Sequence, residues 1–467
     1  MLSARNKATE IVRTLRQRGH QAYLVGGCVR DLLLEREPSD YDVATDAKPD
    51  EVMRIFPRTW AVGAQFGVVL VPVEDRSSED EKQVLRAHNT RAQDDKNLGE
   101  EKNSAVIEVA TFRSDGLYTD GRHPDQVTYT RDPREDVQRR DFTINGLLLD
   151  PLSNEVLDYV GGRADLSAGI IRTIGQAERR FAEDKLRMLR AVRFAARFGY
   201  EIEPATFGAI RNLRSQIQQV SRERVRDELV KMLTEGHARR AFELLDQTGL
   251  LKEMLPEVDR MHGVEQPPQF HPEGDVWVHT LLLLEGLPEH ASPTLAMGAL
   301  LHDIGKPPTF RLAPDRIRFD GHVEVGVKMA EEICYRLRFS NHDTEQIARL
   351  VANHMRFADV KEMKPATLKR FFRLPRFDEH LELHRLDCLA SHRDLSLYDF
   401  TREQLARMPA EQIRPKPLLT GDDLIAMGYA PGPRFKQILA AVEDAQLEGR
   451  LQDTEAARKF VRAEFSP

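Results

Sequence analysis

Asp40 and Asp42 stand two residues apart in the run YLVGGCVRDLLLEREPSDYDVATD (23–46), and their types and spacing point directly to chemistry. Side chains alternate along an extended strand, so the two carboxylates share one face and Tyr41 takes the other. Acids held that close repel each other unless a cation lies between them, and hard oxygen ligands suit Mg²⁺. Just upstream, Gly26-Gly27 opens a predicted helix, VRDLLLE, whose bare N–H groups suit an anionic phosphate. A phosphate cradle followed by a two-carboxylate clamp is the minimum for metal-assisted phosphoryl or nucleotidyl transfer. Either half alone also reads as an ordinary Gly-Gly turn or as two solvated acids. Order and spacing together favour chemistry.

Further residues extend this site. Glu108, in the β-rich run AVIEVATF, is placed as a third catalytic carboxylate, the alternative being a solvated glutamate at a strand edge. The segment FRSDGLYTDGRHPD (112–125) is too polar and turn-prone for a core element and is read as a loop that closes over a nucleotide. In RRDFTINGLLLD (139–150), Arg139 and Arg140 beside Asp141 offer a grip for a triphosphate and a ribose hydroxyl. Asp184 and Arg187, three apart on a predicted helix, share a face. An acceptor beside a donor fork accepts the base edge of C or A and rejects U or G, at ~1–3 kcal/mol per bidentate contact. The plainer reading of that pair is a surface ion pair.

A second set lies between residues 271 and 390. His279, the adjacent His302-Asp303, His322, His354 and Asp387 all fall in helical surroundings. Histidines and carboxylates of this kind suit a mono- or dinuclear divalent-metal site that activates water. One helical histidine is usually structural; six candidates in one apolar bundle are not read that way. Lys306, one turn beyond Asp303, is a candidate contact for a substrate phosphate.

The elements that position these groups follow from the pattern of the whole chain. Residues 1 to 150 mix short β-rich runs (FGVVLVPV, SAVIEVATF, NGLLLDP) with helices and predict an α+β head. Residues 74–102 carry nine acids and six bases with almost no apolar periodicity, and read as a mobile insertion. Strand signals stop near residue 175 and helical periodicity runs nearly to the end. Pro267-Pro268 and Pro409–Pro417 mark joints. The expected domains are a head over 1–150, a helical neck and body over 151–260 for base recognition and RNA binding, a metal-binding helical domain over 261–400 and a helical tail over 401–467. The chain has 467 residues, 41% hydrophobic and 31% charged, with a mean hydropathy of −0.49, as in ordinary soluble proteins. Three scattered cysteines without CxxC spacing imply neither a disulfide framework nor a zinc-thiolate site, and fit a reducing cytoplasm. No apolar run approaches the ~18 residues of a membrane span. Net charge is −7, yet residues 179–240 hold fifteen Arg or Lys against eight acids, a local basic surface suited to RNA or to a solvated, ion-paired helix face.

The ordered motifs LVGGCVRD, SDYD, GAQFGVV, ATFRSDGLYTDGRHPD, RRDFTINGL, FAEDKLRMLRAVRFAARFG and RERVRDELVKML resemble the bacterial class II tRNA nucleotidyltransferases, the CCA-adding enzymes and their poly(A) polymerase relatives. The resemblance implies a polymerase-β-like head followed by all-helical neck, body and tail. It implies attack of a tRNA 3′-OH on the α-phosphate of CTP or ATP, with Mg²⁺ held by Asp40 and Asp42. It extends the nucleotide-binding set to Gly26, Gly27, Arg30, Arg113, Asp115, Arg139, Arg140, Asp141, Asn145, Asp184, Arg187, Arg190 and Arg193. Retention of DGRHPD disfavours CC-only addition, and the non-basic GAQFGVVLV disfavours poly(A) synthesis. The run ALLHDIGKP (299–307) resembles the HD phosphohydrolases, which implies hydrolysis of phosphomonoesters or 2′,3′-cyclic phosphates with Mg²⁺, Mn²⁺, Ni²⁺ or Co²⁺. The tail (417–449) resembles the C-terminal helices of the same nucleotidyltransferases, a platform for tRNA. Rival readings are an A-adding enzyme or poly(A) polymerase of the same family, and an HD phosphohydrolase whose head binds RNA without catalysis.

Overall fold

A computed structural model describes residues 3–61, 67–73, 106–116, 126–269 and 271–465. The insertion 74–102 and residues 117–125 of the nucleotide loop lie outside the described residues. The chain groups into two compact units, residues 1–259 and 260–467.

The first unit opens with helix Ala4–Gln17, capped by Ser3 Oγ accepting from the Asn6 N–H. Its apolar residues Ala8, Ile11, Val12 and Leu15 recur at helical spacing and are all buried. The strands that follow are β1 (Ala22–Val25), β2 (Asp42–Thr45), β3 (Trp60–Ala61), β4 (Val68–Pro72), β5 (Val106–Thr111), β6 (Arg113–Asp115), β7 (Val127–Tyr129), β8 (Leu147–Asp150) and β9 (Glu155–Asp158). Seven of them form one sheet in the order β3-β4-β5-β2-β1-β8-β9, and β6 pairs with β7 in a separate ribbon. β2 and β5 run parallel with Asp42 opposite Glu108; the other pairs in the sheet are antiparallel. Val25, Ala44, Phe112, Val137 and Leu148 pack together as one buried cluster of this region.

Helices then take over, chiefly Ala177–Glu183, Arg187–Phe198, Pro204–Leu213, Arg222–Thr234 and Ala238–Thr248. The helical region is not free of strands. β10 (Ile170–Ile171) pairs in parallel with β11 (Glu201–Ile202), a contact too short to leave a sequence period.

In the second unit, helices Val276–Glu285 and Pro293–Leu301 are apolar nearly all round, as befits elements enclosed by others. Helices Asn341–Asn353 and Phe377–Ala390 pack with them, and His322–Arg336 packs on Asn341–Asn353. A short hairpin, β12 (Arg311–Leu312) with β13 (Ile317–Arg318), interrupts the helices. Helices Gly421–Ala426, Pro433–Leu447 and Thr454–Glu464 bury a cluster of their own around Leu424, Ile438, Val442 and Val461.

Gly162 begins the helix Gly162–Ala168 so close to the preceding turn that an added Cβ would lie 2.2 Å from the Thr143 carbonyl oxygen. Backbone, not a flexible side chain, blocks that space. Gly162→Ala should therefore cost ~1–3 kcal/mol, lowering the melting midpoint of the first unit by roughly 2–10 °C. Calorimetry on the full chain checks it.

Candidate functional site

β2 begins at Asp42, so Asp40 lies just outside the strand, yet the chain around it keeps the strand's alternation. Tyr41 is 2% exposed, whereas Asp40 is exposed and Asp42 half-buried on the opposite side. Glu108 is not on an edge strand, because β5 runs between β4 and β2. The parallel register sets it directly beside Asp42. Burial, Glu108 and Asp40 together push the Asp42 carboxyl up to about 7, against the opposing pull of Arg140. A carboxyl so disfavoured as an anion calls for a cation at this point.

A cleft of about 460 Å³ opens beside Asp42, lined by Gly26, Gly27, Asp141, Asn145, Asp184, Leu186, Phe194 and six arginines: Arg30, Arg139, Arg140, Arg187, Arg190 and Arg224. Six guanidinium groups against three carboxylates make the cleft a place for a polyanion. Gly26 sits at φ 76°, and a Cβ there would stand 3.2 Å from an Arg140 guanidinium nitrogen. The backbone must approach that arginine, so glycine is required. The helix after it, Gly27–Leu33, is only seven residues long, so the arginines supply most of the positive field.

Acids hold these arginines in place. Asp136 accepts from Arg139 Nε at 2.9 Å and from Arg140 at 3.1 Å. Asp141 accepts from Arg190 Nε at 2.9 Å and from Asn145 at 3.1 Å. Burial alone would raise its carboxyl, but Arg190 and Asn145 pull it down to about 2. Arg30 donates to Asp31 at 2.8 Å and to Asn145 at 2.7 Å, and lies over the rings of Phe194 and Phe198. Its guanidinium is thus held by contacts within the protein while it lines the cleft.

Three expectations are corrected. Asp184 and Arg187 do not share a helical face: the helix stops at Glu183, Asp184 is extended, and a new helix starts at Arg187. The Asp184 carboxylate accepts from Arg224 at 2.7 Å, and Arg187 donates to Glu183 at 2.6 Å. Both still line the cleft. Arg193 does not reach it; the side chain is buried and donates to Glu228 at 2.7 Å. Arg113 and Asp115 belong to β6, not to an open loop, with Arg113 Nε 3.0 Å from Asp115 and Asp115 3.9 Å from Arg139.

In the second unit the six histidine and carboxylate candidates converge. His279 Nε2 lies 3.3 Å from His302 Nε2, 3.2 Å from Asp387 and 3.8 Å from Asp303. His354 Nε2 is 3.6 Å and His322 Nε2 4.0 Å from the other Asp303 oxygen. Two groups of three, His279 with His302 and Asp387, and Asp303 with His322 and His354, are each compact enough to hold one cation. The Nε2 atoms of His322 and His354 are buried without a hydrogen-bond partner, which fits ligands aimed at a metal. Gly305 makes the convergence possible: a Cβ there would fall 2.0 Å from the His322 carbonyl oxygen. Lys306 does not project outward. It is buried, 2.7 Å from Asp303 and 2.7 Å from the Gln266 side-chain oxygen.

The Poly A polymerase head domain matches residues 22–97 and 80–172, the probable RNA and SrmB-binding site of polymerase A matches 199–261, and the HD domain matches 275–390. A CCA-adding enzyme of Geobacillus stearothermophilus is 41% identical over 244 residues, 52% of this chain and 53% of that protein. One from Lactobacillus johnsonii is 36% identical over 290 residues, 61% of this chain and 65% of that protein. The crystal structure of Bacillus stearothermophilus CCA-adding enzyme in complex with CTP superposes with a TM-score of 0.69 at 26% identity, covering 99% of both chains. The chain thus carries matches to the poly A polymerase head domain, its RNA-binding region and the HD domain, and is similar to CCA-adding enzymes. Its alignment spans between about half and two thirds of the length of these curated relatives. The Thermotoga maritima CCA-adding enzyme complexed with tRNA_CCA shares the fold, with a TM-score of 0.57 at 17% identity.

Several residues of these two sites escape sequence reasoning. Arg224 sits in RERVRDELVKML, but nothing in its spacing announces a partner forty positions away. Asp136 hides among the acids of PREDVQ, and Glu273 precedes the first histidine helix in HPEGD.

The raised Asp42 carboxyl has a pH consequence in metal-free buffer. The unfolded chain ionises this group in the usual carboxylate range, the folded chain only near 7. The associated stability is present at acid pH and is lost as pH rises through 7. Asp42→Asn should therefore gain in melting temperature over wild type by more at pH 8 than at pH 5, with EDTA present. An equal difference at both values would contradict the raised pKa.

Proposed function

We propose that this chain adds CCA to the 3′ end of tRNA, using CTP and ATP and releasing pyrophosphate. The observation that carries the reading is the row of acids at Asp40, Asp42 and Glu108 beside an arginine-lined cleft. Asp40 and Asp42, with Glu108, would hold Mg²⁺, which when bound activates the attacking hydroxyl and stabilises the leaving pyrophosphate. Arg139 and Arg140, fixed by Asp136, neutralise triphosphate oxygens. Asp141, kept ionised by Arg190, accepts from a ribose hydroxyl. Asp184 and Arg187 read the base edge from the break between two helices, with Arg224 setting the position of the Asp184 carboxylate. The basic helices over 179–240 and the tail would carry tRNA. Three free, buried cysteines support a reducing cytoplasm as its location, and among the described residues no helix is long and apolar enough to cross a membrane.

The convergence of six ligands in the second unit supports a second activity, divalent-metal hydrolysis of a phosphomonoester or a 2′,3′-cyclic phosphate. Mg²⁺, Mn²⁺, Ni²⁺ and Co²⁺ are the candidate ions. Such a metal, when bound, supplies an activated water; the chain's own residues hold it and exclude solvent.

Incubation with tRNA lacking its 3′ end, tRNA-C and tRNA-CC, with labelled CTP or ATP, separates CCA addition from A-only addition and from poly(A) synthesis. Asp40→Ala or Asp42→Ala should abolish incorporation of both nucleotides with tRNA binding nearly unchanged; near-normal turnover refutes the metal clamp. Asp303→Ala should abolish hydrolysis and leave addition within a few fold of wild type, measured on one preparation.

Base choice is tested separately. Asp184→Ala or Arg187→Ala should relax discrimination against UTP and GTP roughly ten- to hundredfold, from the loss of one bidentate contact. Arg224→Ala should relax it in the same direction. Unchanged preference in all three would return these residues to a structural role.

A further inference from the structure

Each of the four histidines in the second unit's cluster presents Nε2 to the others, and each has its Nδ1 engaged elsewhere. In His302, His322 and His354 the partner is a backbone carbonyl three residues earlier: Ala299 at 2.9 Å, Phe319 at 2.9 Å and Val351 at 2.7 Å. His279 departs from this pattern. Its Nδ1 donates to the side chain of Glu273 at 2.7 Å. The His279 carbonyl acceptor at that spacing is replaced by a carboxylate from the loop before its helix.

We infer that Glu273 is the positioning residue for the second unit's metal centre, orienting His279 and strengthening it as a ligand. The inference rests on the metal-dependent reading of that centre. A carboxylate accepting from the far ring nitrogen fixes the tautomer that leaves Nε2 free to ligate, and its charge makes the ring a better donor. A backbone carbonyl does the first and little of the second. The same Glu273 oxygen accepts from His271 Nδ1 at 2.8 Å, so two imidazoles lock it. The His271 ring packs edge-on against His279 with centroids 4.9 Å apart.

The loop is itself pinned. The His271 N–H donates to the Pro267 carbonyl at 3.0 Å. Asp275 accepts from the Val278 N–H at 2.8 Å and from the Gly263 N–H at 2.6 Å. Glu273 is therefore delivered to His279 by backbone on both sides, not by a freely rotating surface segment. His279 is fully buried, and Glu273 is the acceptor that its Nδ1 meets there. On the other side of the ring, Nε2 faces Asp387 and His302, the two partners with which it can hold one cation.

The experiment is a titration of the full chain with Mn²⁺ and with Ni²⁺ by calorimetry, where the binding removed by Asp303→Ala defines the second unit's centre. Glu273→Ala should weaken that binding about 10- to 100-fold. Glu273→Gln keeps a side-chain oxygen to accept from Nδ1 but lacks the charge, and should recover part of the loss. Thermal melting and nucleotide addition on the same preparations report whether the fold is intact. If Glu273→Ala binds metal within twofold of wild type, the inference is overturned. It is equally overturned if Glu273→Ala and Glu273→Gln weaken binding alike, because orientation by an acceptor would then count for nothing. Wild type that binds no more metal than Asp303→Ala refutes the metal reading itself, which is a different result.

Discussion

Repulsion between carboxylates that the backbone will not let apart is the constraint on which the head depends. Parallel pairing fixes Asp42 opposite Glu108, and strand alternation fixes Asp40 on the same side. Asp42 and Glu108 cannot be parted without breaking the pairing of β2 with β5. Burial first, and then that crowding, raise the carboxyl of Asp42. The crowding would be relieved by a proton or by a cation, and the arginine-lined cleft alongside suits a polyanion. A polyanion brings its own need for counter-charge, so the acids and the arginines are complementary requirements of one ligand.

The arginines in turn need anchors, because a cluster of like charges would otherwise splay into solvent. Asp136, Asp141 and Asp184 provide them, each buried or half-buried and each accepting from one or two guanidinium groups. These acids come from different elements: a helix, the turn before a 3-10 segment, and a helix end. Positioning the cleft is therefore a task for the whole first unit. The helices after residue 177 complete the site by supplying Asp184, Arg187, Arg190 and Arg224.

Much of this was readable in the chain, and the limits have physical causes. Alternation at Asp40-Tyr41-Asp42 needs only the period of a strand, and the structure keeps it. Apolar periodicity located the helices because it reports burial. The helix break at Asp184 was not visible, since FAEDKLRMLR carries unbroken helical spacing and no glycine or proline. Arg193 looked like its neighbours Arg187 and Arg190; its inward direction is decided by Glu228 on another helix. Arg113 and Asp115 read as loop because a three-residue strand leaves too short a pattern. Lys306 read as a projecting cation, but a buried acid and the Gln266 oxygen draw it inward. In most of these cases a deciding partner is distant in sequence: Glu228 for Arg193, β7 for β6, Gln266 for Lys306.

The two centres also solve the problem of holding a divalent cation in opposite ways. On the proposed reading the head would hold its cation with carboxylates alone on a half-open strand end, hard ligands that suit Mg²⁺. The second unit buries three imidazoles and half-buries that of His322, and keeps each in a single tautomer through its Nδ1 partner. Borderline nitrogen ligands in a closed pocket suit an ion that stays. Ligands that must release product with every turnover need solvent access and exchangeable oxygens. Ligands that retain a resident ion need rings that cannot turn, and the protein spends backbone carbonyls and one carboxylate to prevent it.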